Sequence, residues 1–222
     1  MDHDLIHTAI LSGCFLAVFG TAELLFHRMR WKAESSRKFV HIFSGLLTLL
    51  FPILLKDHIY VLVLCGSFAI LLLTSMRFSF LKSINGVERK TWGSIAFPAA
   101  IYGCFLYYVH TGELVSFYLP VLILALCDPI AAVTGKKWPK GRYRSGQGTK
   151  TMTGSAFFII SAFLIGIVLF VLSGQELSAR LTTTCIAVAI AAGFTEGITG
   201  HGFDNITIPL AVITILHFYG VS

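Results

Sequence analysis

The residues of this 222-residue chain best suited to chemistry lie between Cys127 and Ser155. Asp128 sits inside an apolar run, a loop crowded with cations and glycines follows, and Lys150-Thr151-Met152-Thr153-Gly154-Ser155 leads back into an apolar run. An acid beside a basic, glycine-rich loop is the donor set that a metal-bound polyphosphate requires. The carboxylate serves the cation, while lysines, arginines and backbone N–H groups serve the phosphates. The positive-inside bias of membrane proteins explains the lysines, but not the acid or the glycines. Gly148-Thr149-Lys150-Thr151 stands at the start of an expected helix, where unpaired N–H groups and a lysine suit an anion. It is not a Walker-type phosphate loop, because no glycine immediately precedes the lysine and no strand is expected to lead in.

Other polar groups share this apolar setting. Arg37, His41 and Gly45 recur at a spacing of four and so fall on one helix face, a candidate contact for a phosphate or a lipid headgroup. Glu196 lies in a segment where Ala189, Gly193 and Gly197 repeat every four residues. That pattern of tight helix packing turns the acid toward protein, since facing lipid would cost at least about 2.5 kcal/mol. Pro129, directly after Asp128, has no N–H and is expected to leave the carbonyl of Ala125 unpaired. Glu23, one turn before a cationic segment, can snorkel to the interface.

The elements that carry these groups are membrane spans. With 55% hydrophobic and 13% charged residues, the chain is expected to be an all-α, polytopic integral membrane protein. Hydropathy places about eight spans (seven to eight) near residues 5–26, 39–55, 59–74, 95–109, 117–134, 152–172, 181–199 and 206–218. The first has no basic leader or obvious cleavage site and reads as a retained helix. The third carries no charge and reads as lipid-facing filler, and the last is short for a ~30 Å bilayer core. Residues 1–222 are expected to form one membrane-embedded catalytic domain. Five isolated cysteines imply neither a disulfide framework nor a zinc site.

The first, third and fifth loops hold five, four and six cations, fifteen of the seventeen, while Lys56 and Arg180 lie on the other side. This bias puts those loops in the cytoplasm and both termini outside, and all three tryptophans fall in the same loops. The net charge of +6 is then a topology signal and implies no nucleic-acid partner. Glu23, His41, Glu88, Asp128, Glu196 and Asp204 all gather at cytoplasmic helix ends. A transporter needs polar groups near the midplane, whereas an enzyme using a cytosolic nucleotide on a membrane lipid needs them at one face.

Asp128-x-x-Ala131-x-x-x-Gly135 followed by Lys150-Thr151-x-x-Gly154-Ser155 resembles the CTP-binding signature of the CTP-dependent lipid kinases, the family of dolichol, phytol, farnesol and fungal-type diacylglycerol kinases. Arg37-Lys38-x-x-His41, Gly93-Ser94-x-x-Phe97-Pro98, and Glu196 with Gly202-x-Asp204-Asn205-x-x-x-Pro209 are similar to further blocks of that family. Where the family carries Glu before the Gly-Ser pair, this chain has Thr153, and Glu196 is the candidate replacement.

The resemblance implies transfer of the γ-phosphate of CTP to the hydroxyl of a membrane lipid alcohol, whether polyprenol, phytol, farnesol or diacylglycerol. Asp128 and Asp204, with Glu196, are the expected Mg²⁺ ligands and catalytic acids. Ala131, Gly135, Lys136, Gly148, Lys150, Thr151, Gly154 and Ser155 are the expected nucleotide contacts, and Arg37, His41, Lys90 and Asn205 those for phosphate or lipid headgroup. Asp204, Glu196 or His41 could be the base. The rivals are cytidylyl transfer, as in phosphatidate cytidylyltransferases, and a non-catalytic lipid-binding or transport protein. The site is expected on the cytoplasmic face of the cell (inner) membrane.

The cation asymmetry is directly measurable. In a background without the native cysteines, single cysteines at Arg144 and at Glu113 should react with an impermeant thiol reagent from opposite sides of the membrane. Labelling of both from outside intact cells would reverse this orientation.

Overall fold

The computed structural model describes residues 3–78, 80–85, 92–146 and 148–220. The first half comprises α1 (His3–Arg28), α2 (Ala33–Thr48), α3 (Phe51–Leu54), α4 (His58–Phe78), α5 (Lys82–Asn85) and α6 (Gly93–Thr111). Next come α7 (Leu114–Leu122), a π-helical turn (Ile123–Cys127) and α8 (Asp128–Lys137). A hairpin of β1 (Arg142–Ser145) and β2 (Gly148–Thr151) then precedes α9 (Met152–Leu172), α10 (Ala179–Ile198) and α11 (Asp204–Phe218). Glu88, Arg89 and Lys90 lie outside the described residues.

The protein is an integral membrane protein. His3–Arg28, Ala33–Leu54, His58–Phe78, Leu114–Lys137, Met152–Leu172 and Ala179–Ile198 are long and apolar enough to cross a membrane. Two further expected spans appear as less extensive apolar helices. In α6, Pro98, three tyrosines and His110 dilute the hydropathy. The 15 residues of α11 reach about 22 Å, short of a ~30 Å hydrocarbon core. Large apolar side chains such as Ile10, Leu16, Ile70, Leu164, Val168 and Phe194 point outward, the arrangement that lipid rewards and water does not.

Cross-helix contacts define two ends. At one, Lys150 meets Glu196, Lys136 meets Glu34, and Trp92 N–H donates to the carbonyl of His201. At the other, His7 meets the carbonyl of Leu54, His58 meets Tyr102, and Arg180 donates to the carbonyl of Tyr219. Inside, one core cluster joins α1, α2, α4, α6 and α7, and a second joins α7 to α11. Phe97 of α6 packs against both.

Two local expectations change. A strand does lead into α9: β2 pairs antiparallel with β1, Tyr143 opposite Lys150 and Ser145 opposite Gly148. Its four residues are too few for alternation to stand out in sequence. Glu23 is a tie and not a loose interfacial charge, since it accepts from Ser83 N–H at 3.0 Å and lies 3.1 Å from His27. All five cysteines remain free thiols.

The small residues place helices close together. A Cβ on Gly193 would come within 2.3 Å of Ile159, and one on Gly45 within 2.4 Å of the Ala125 Cβ. Gly45→Ala should therefore cost about 1–3 kcal/mol by overpacking α2 against the π-helical turn. Adding Ala125→Gly should recover much of that loss, as read by thermal unfolding in detergent.

Candidate active site

Asp128 is delivered by an irregularity in its own helix. In the wide π register the carbonyl of residue i is met by the N–H of residue i+5. For Leu124 that residue is Pro129, which has no N–H. The π register thus frees the Leu124 carbonyl. Nε2 of His41 donates to it at 3.0 Å, linking α2 to the turn just before Asp128. A carbonyl can only accept, so Nε2 carries the hydrogen and a neutral ring keeps its lone pair on Nδ1. The Phe97 ring, 4.9 Å from the imidazole, backs the histidine.

His41 and Asp128 face a cavity of about 660 Å³. At its polar end α2 contributes Arg37 and Lys38, and α8 contributes Ala131, Gly135 and Lys136. The hairpin and the start of α9 add Gly148, Lys150, Thr151, Gly154 and Ser155. From α10 and α11 come Glu196, Asp204 and Asn205. Every residue expected to contact metal, nucleotide, phosphate or headgroup therefore lines one chamber, except Lys90, which lies outside the described residues.

Within the chamber several nominated groups are committed to structure. Gly135 and Gly154 are where α8 crosses α9. A Cβ on Gly135 would lie 2.6 Å from Thr151 Oγ1, and one on Gly154 2.8 Å from the carbonyl of Ala131. Thr151 caps α9 by accepting from Gly154 N–H at 3.1 Å. Asn205 donates to the carbonyl of Gly93 at 2.7 Å. Gly202, at φ +87°, allows the same junction, because a Cβ there would stand 2.2 Å from the Gly93 nitrogen.

The charges are arranged unequally. Lys150 Nζ lies 2.7 Å from Glu196 Oε1 and also donates to that residue's carbonyl. Ser155 joins them: its hydroxyl is 3.5 Å from Glu196 Oε2 and 2.6 Å from the hydroxyl of Tyr143. Lys136 and Lys38 converge on Glu34, Lys38 at 3.7 Å. By contrast, none of the described lysines is within ion-pair distance of Asp128 or Asp204. The three carboxylates expected to bind metal, Asp128, Asp204 and Glu196, lie near enough to act on one another electrostatically. No three His, Cys, Asp or Glu among the described residues form a group able to hold an ion, and Lys150 already engages Glu196. Two carboxylates remain, which is the complement Mg²⁺ takes when substrate phosphates supply further ligands.

Sequence reasoning passed over Glu34 and Tyr143. Glu34 carried a signal, four residues before Lys38 in a cationic stretch. Tyr143 reaches Ser155 only once the hairpin has folded back. The expectation for the third span also fails: α4 is not lipid-facing filler, because its Leu64, Cys65, Phe68 and Leu72 line the apolar continuation of the cavity.

Comparison with known proteins gives one informative likeness. Over 195 residues, 87% of this chain and 83% of the relative, the sequence is 29% identical to the phytol kinase of Synechocystis sp.. No family model matches the chain. No solved structure matches it either.

The Lys150 and Glu196 pair should behave as a unit. Lys150→Met leaves a buried carboxylate without its partner and should cost about 1–3 kcal/mol, between the values for exposed and fully buried pairs. Lys150→Met combined with Glu196→Gln should cost less than Lys150→Met alone, by unfolding in detergent.

Proposed function

We propose that this chain, a member of the CTP-dependent lipid kinase family, transfers the γ-phosphate of CTP to the hydroxyl of a membrane lipid alcohol. The kinship with phytol kinase supports a kinase that phosphorylates an alcohol. The observation that carries the reading is one cavity in which a phosphate-binding and metal-binding donor set opens into an apolar limb. A nucleotide and a lipid can thus meet there without either leaving its own medium, and holding both reactants in register supplies much of the rate.

In this reading the hydroxyl oxygen attacks the γ-phosphorus, the bond from that phosphorus to the β–γ bridging oxygen breaks, and CDP departs with the bridging oxygen. Lys136, Lys38 and Arg37 bind the phosphates, with Glu34 holding the lysines in place until the nucleotide arrives. Backbone N–H groups at the start of α9 add to this field. Asp128 and Asp204 would hold Mg²⁺, which offsets charge on the phosphates. The hydroxyl proton passes to Nδ1 of His41, whose Nε2–H is already spent on the Leu124 carbonyl. Glu196, neutralised by Lys150, positions that lysine and is not the base. The polar end faces the cytoplasm of the cell (inner) membrane, where CTP is available.

Purified protein in detergent, given Mg²⁺, γ-labelled CTP and a panel of lipid alcohols, should label the lipid and release CDP. Asp128→Asn should abolish labelling in a folded protein, and His41→Gln should lower kcat by about 10²–10⁴. Label entering only from α-labelled CTP, with release of pyrophosphate, would show cytidylyl transfer. Absence of nucleotide turnover with every lipid would overturn the kinase reading in favour of binding or transport.

A further inference from the structure

The polar chamber is only one end of the cavity. Beyond His41 the walls become apolar: Phe15 and Phe19 from α1, Phe51 from α3, Leu64 and Phe68 from α4, and Ile101 from α6. These six are buried, none more than 9% exposed, so the limb runs inside the bundle and not along its lipid-facing surface. It also ends there. Past Phe15, Phe51 and Leu64 come Leu11, Leu55 and Val61, which are core residues and not part of the cavity wall. The rings interlock at the closed end, Phe15 lying 6.1 Å from Phe51 and 5.1 Å from Phe68 by centroid. Of the hydroxyls that α2 turns to the cavity past His41, the deeper, Thr48, is spent on the carbonyl of Gly45 at 2.7 Å, while Ser44, within a turn of His41, is buried without a partner.

We infer that this limb is a closed site for a single hydrocarbon chain, so that the protein takes single-chain lipid alcohols and measures their length against Phe15, Phe51 and Leu64. The inference rests on the kinase reading for the fate of the hydroxyl, but not for the seating of the chain. From His41 to Phe51 the helical path is about 15 Å at ~1.5 Å per residue. A fully extended chain covers ~1.2 Å per bond, so roughly a dozen bonds fill the limb.

Selection here works by exclusion. A lipid tail in a bilayer is already out of water, so entering the limb gains little from the hydrophobic effect. Fit against the walls, and the closed floor, decide which alcohol can bring its hydroxyl to His41 and Asp128.

Two measurements test this, one independent of catalysis. A dodecanol carrying a diazirine at its far end should photolabel the protein in detergent on the α1 and α4 segments around Phe15 and Leu64. Label confined to outward residues such as Ile70 or Leu164 would overturn the inference. That result is distinct from failure of the kinase reading, in which labelling persists without turnover. The second compares kcat/KM for geraniol, farnesol and a diacylglycerol with two twelve-carbon chains. Farnesol should exceed the diacylglycerol by at least about tenfold. Leu64→Trp, which raises the floor, should lower the value for farnesol about tenfold more than the value for geraniol. Phe68→Leu, which loosens the same wall at smaller risk to folding, should raise acceptance of chains longer than farnesol. Unchanged chain-length profiles in both variants, folded by thermal unfolding, would overturn the proposal.

Discussion

A proline that cannot donate a hydrogen bond organises this site. Pro129 leaves the Leu124 carbonyl unpaired inside an apolar helix, and a bare carbonyl in a membrane interior costs several kcal/mol. His41 removes that cost. In doing so it fixes the ring's tautomer and brings α2 against the π-helical turn, at a carbonyl four residues before Asp128. The contact requires the backbones to approach closely, which is why Gly45 stands opposite Ala125.

Electrostatics build outward from there. Charges are expensive in a bilayer, and the described charged groups of the cavity are confined to one end of the bundle. Most are balanced locally: Lys150 against Glu196, and Lys136 and Lys38 against Glu34. No described lysine stands within ion-pair distance of Asp128 or Asp204, although Lys38 acts on Asp128 and Lys150 on Asp204 at longer range. These two acids, in a chamber walled with lysines and an arginine, are the ground on which a cation and a polyphosphate are proposed there.

The two halves of the bundle meet over this chamber. One core cluster belongs to α1 through α7 and the other to α7 through α11, with Phe97 shared. The first half encloses the apolar limb, whereas the second supplies most of the carboxylates and two of the three lysines. In the proposed function, the nucleotide and the hydrocarbon chain would therefore be held by different halves of the bundle.

Much of this was legible in the chain. Apolar runs near ~20 residues, interrupted by cationic loops, determine an all-helical membrane protein, because lipid forbids unsatisfied backbone and charge together. An acid inside such a run, with Pro129 beside it, marks a site, since neither is tolerated there without a partner. Spacing of four also placed Arg37, His41 and Gly45 on one face. What only the tertiary structure decided is who partners whom. Which carbonyl Pro129 frees depends on the register of one turn, and the hairpin that brings Tyr143 to Ser155 is too short to show a period. That Lys150 takes Glu196 and leaves Asp128 and Asp204, and that α4 walls a cavity instead of facing lipid, are long-range outcomes of packing. Sequence spacing reports the face of one helix at a time, and it cannot report which other helix that face will meet.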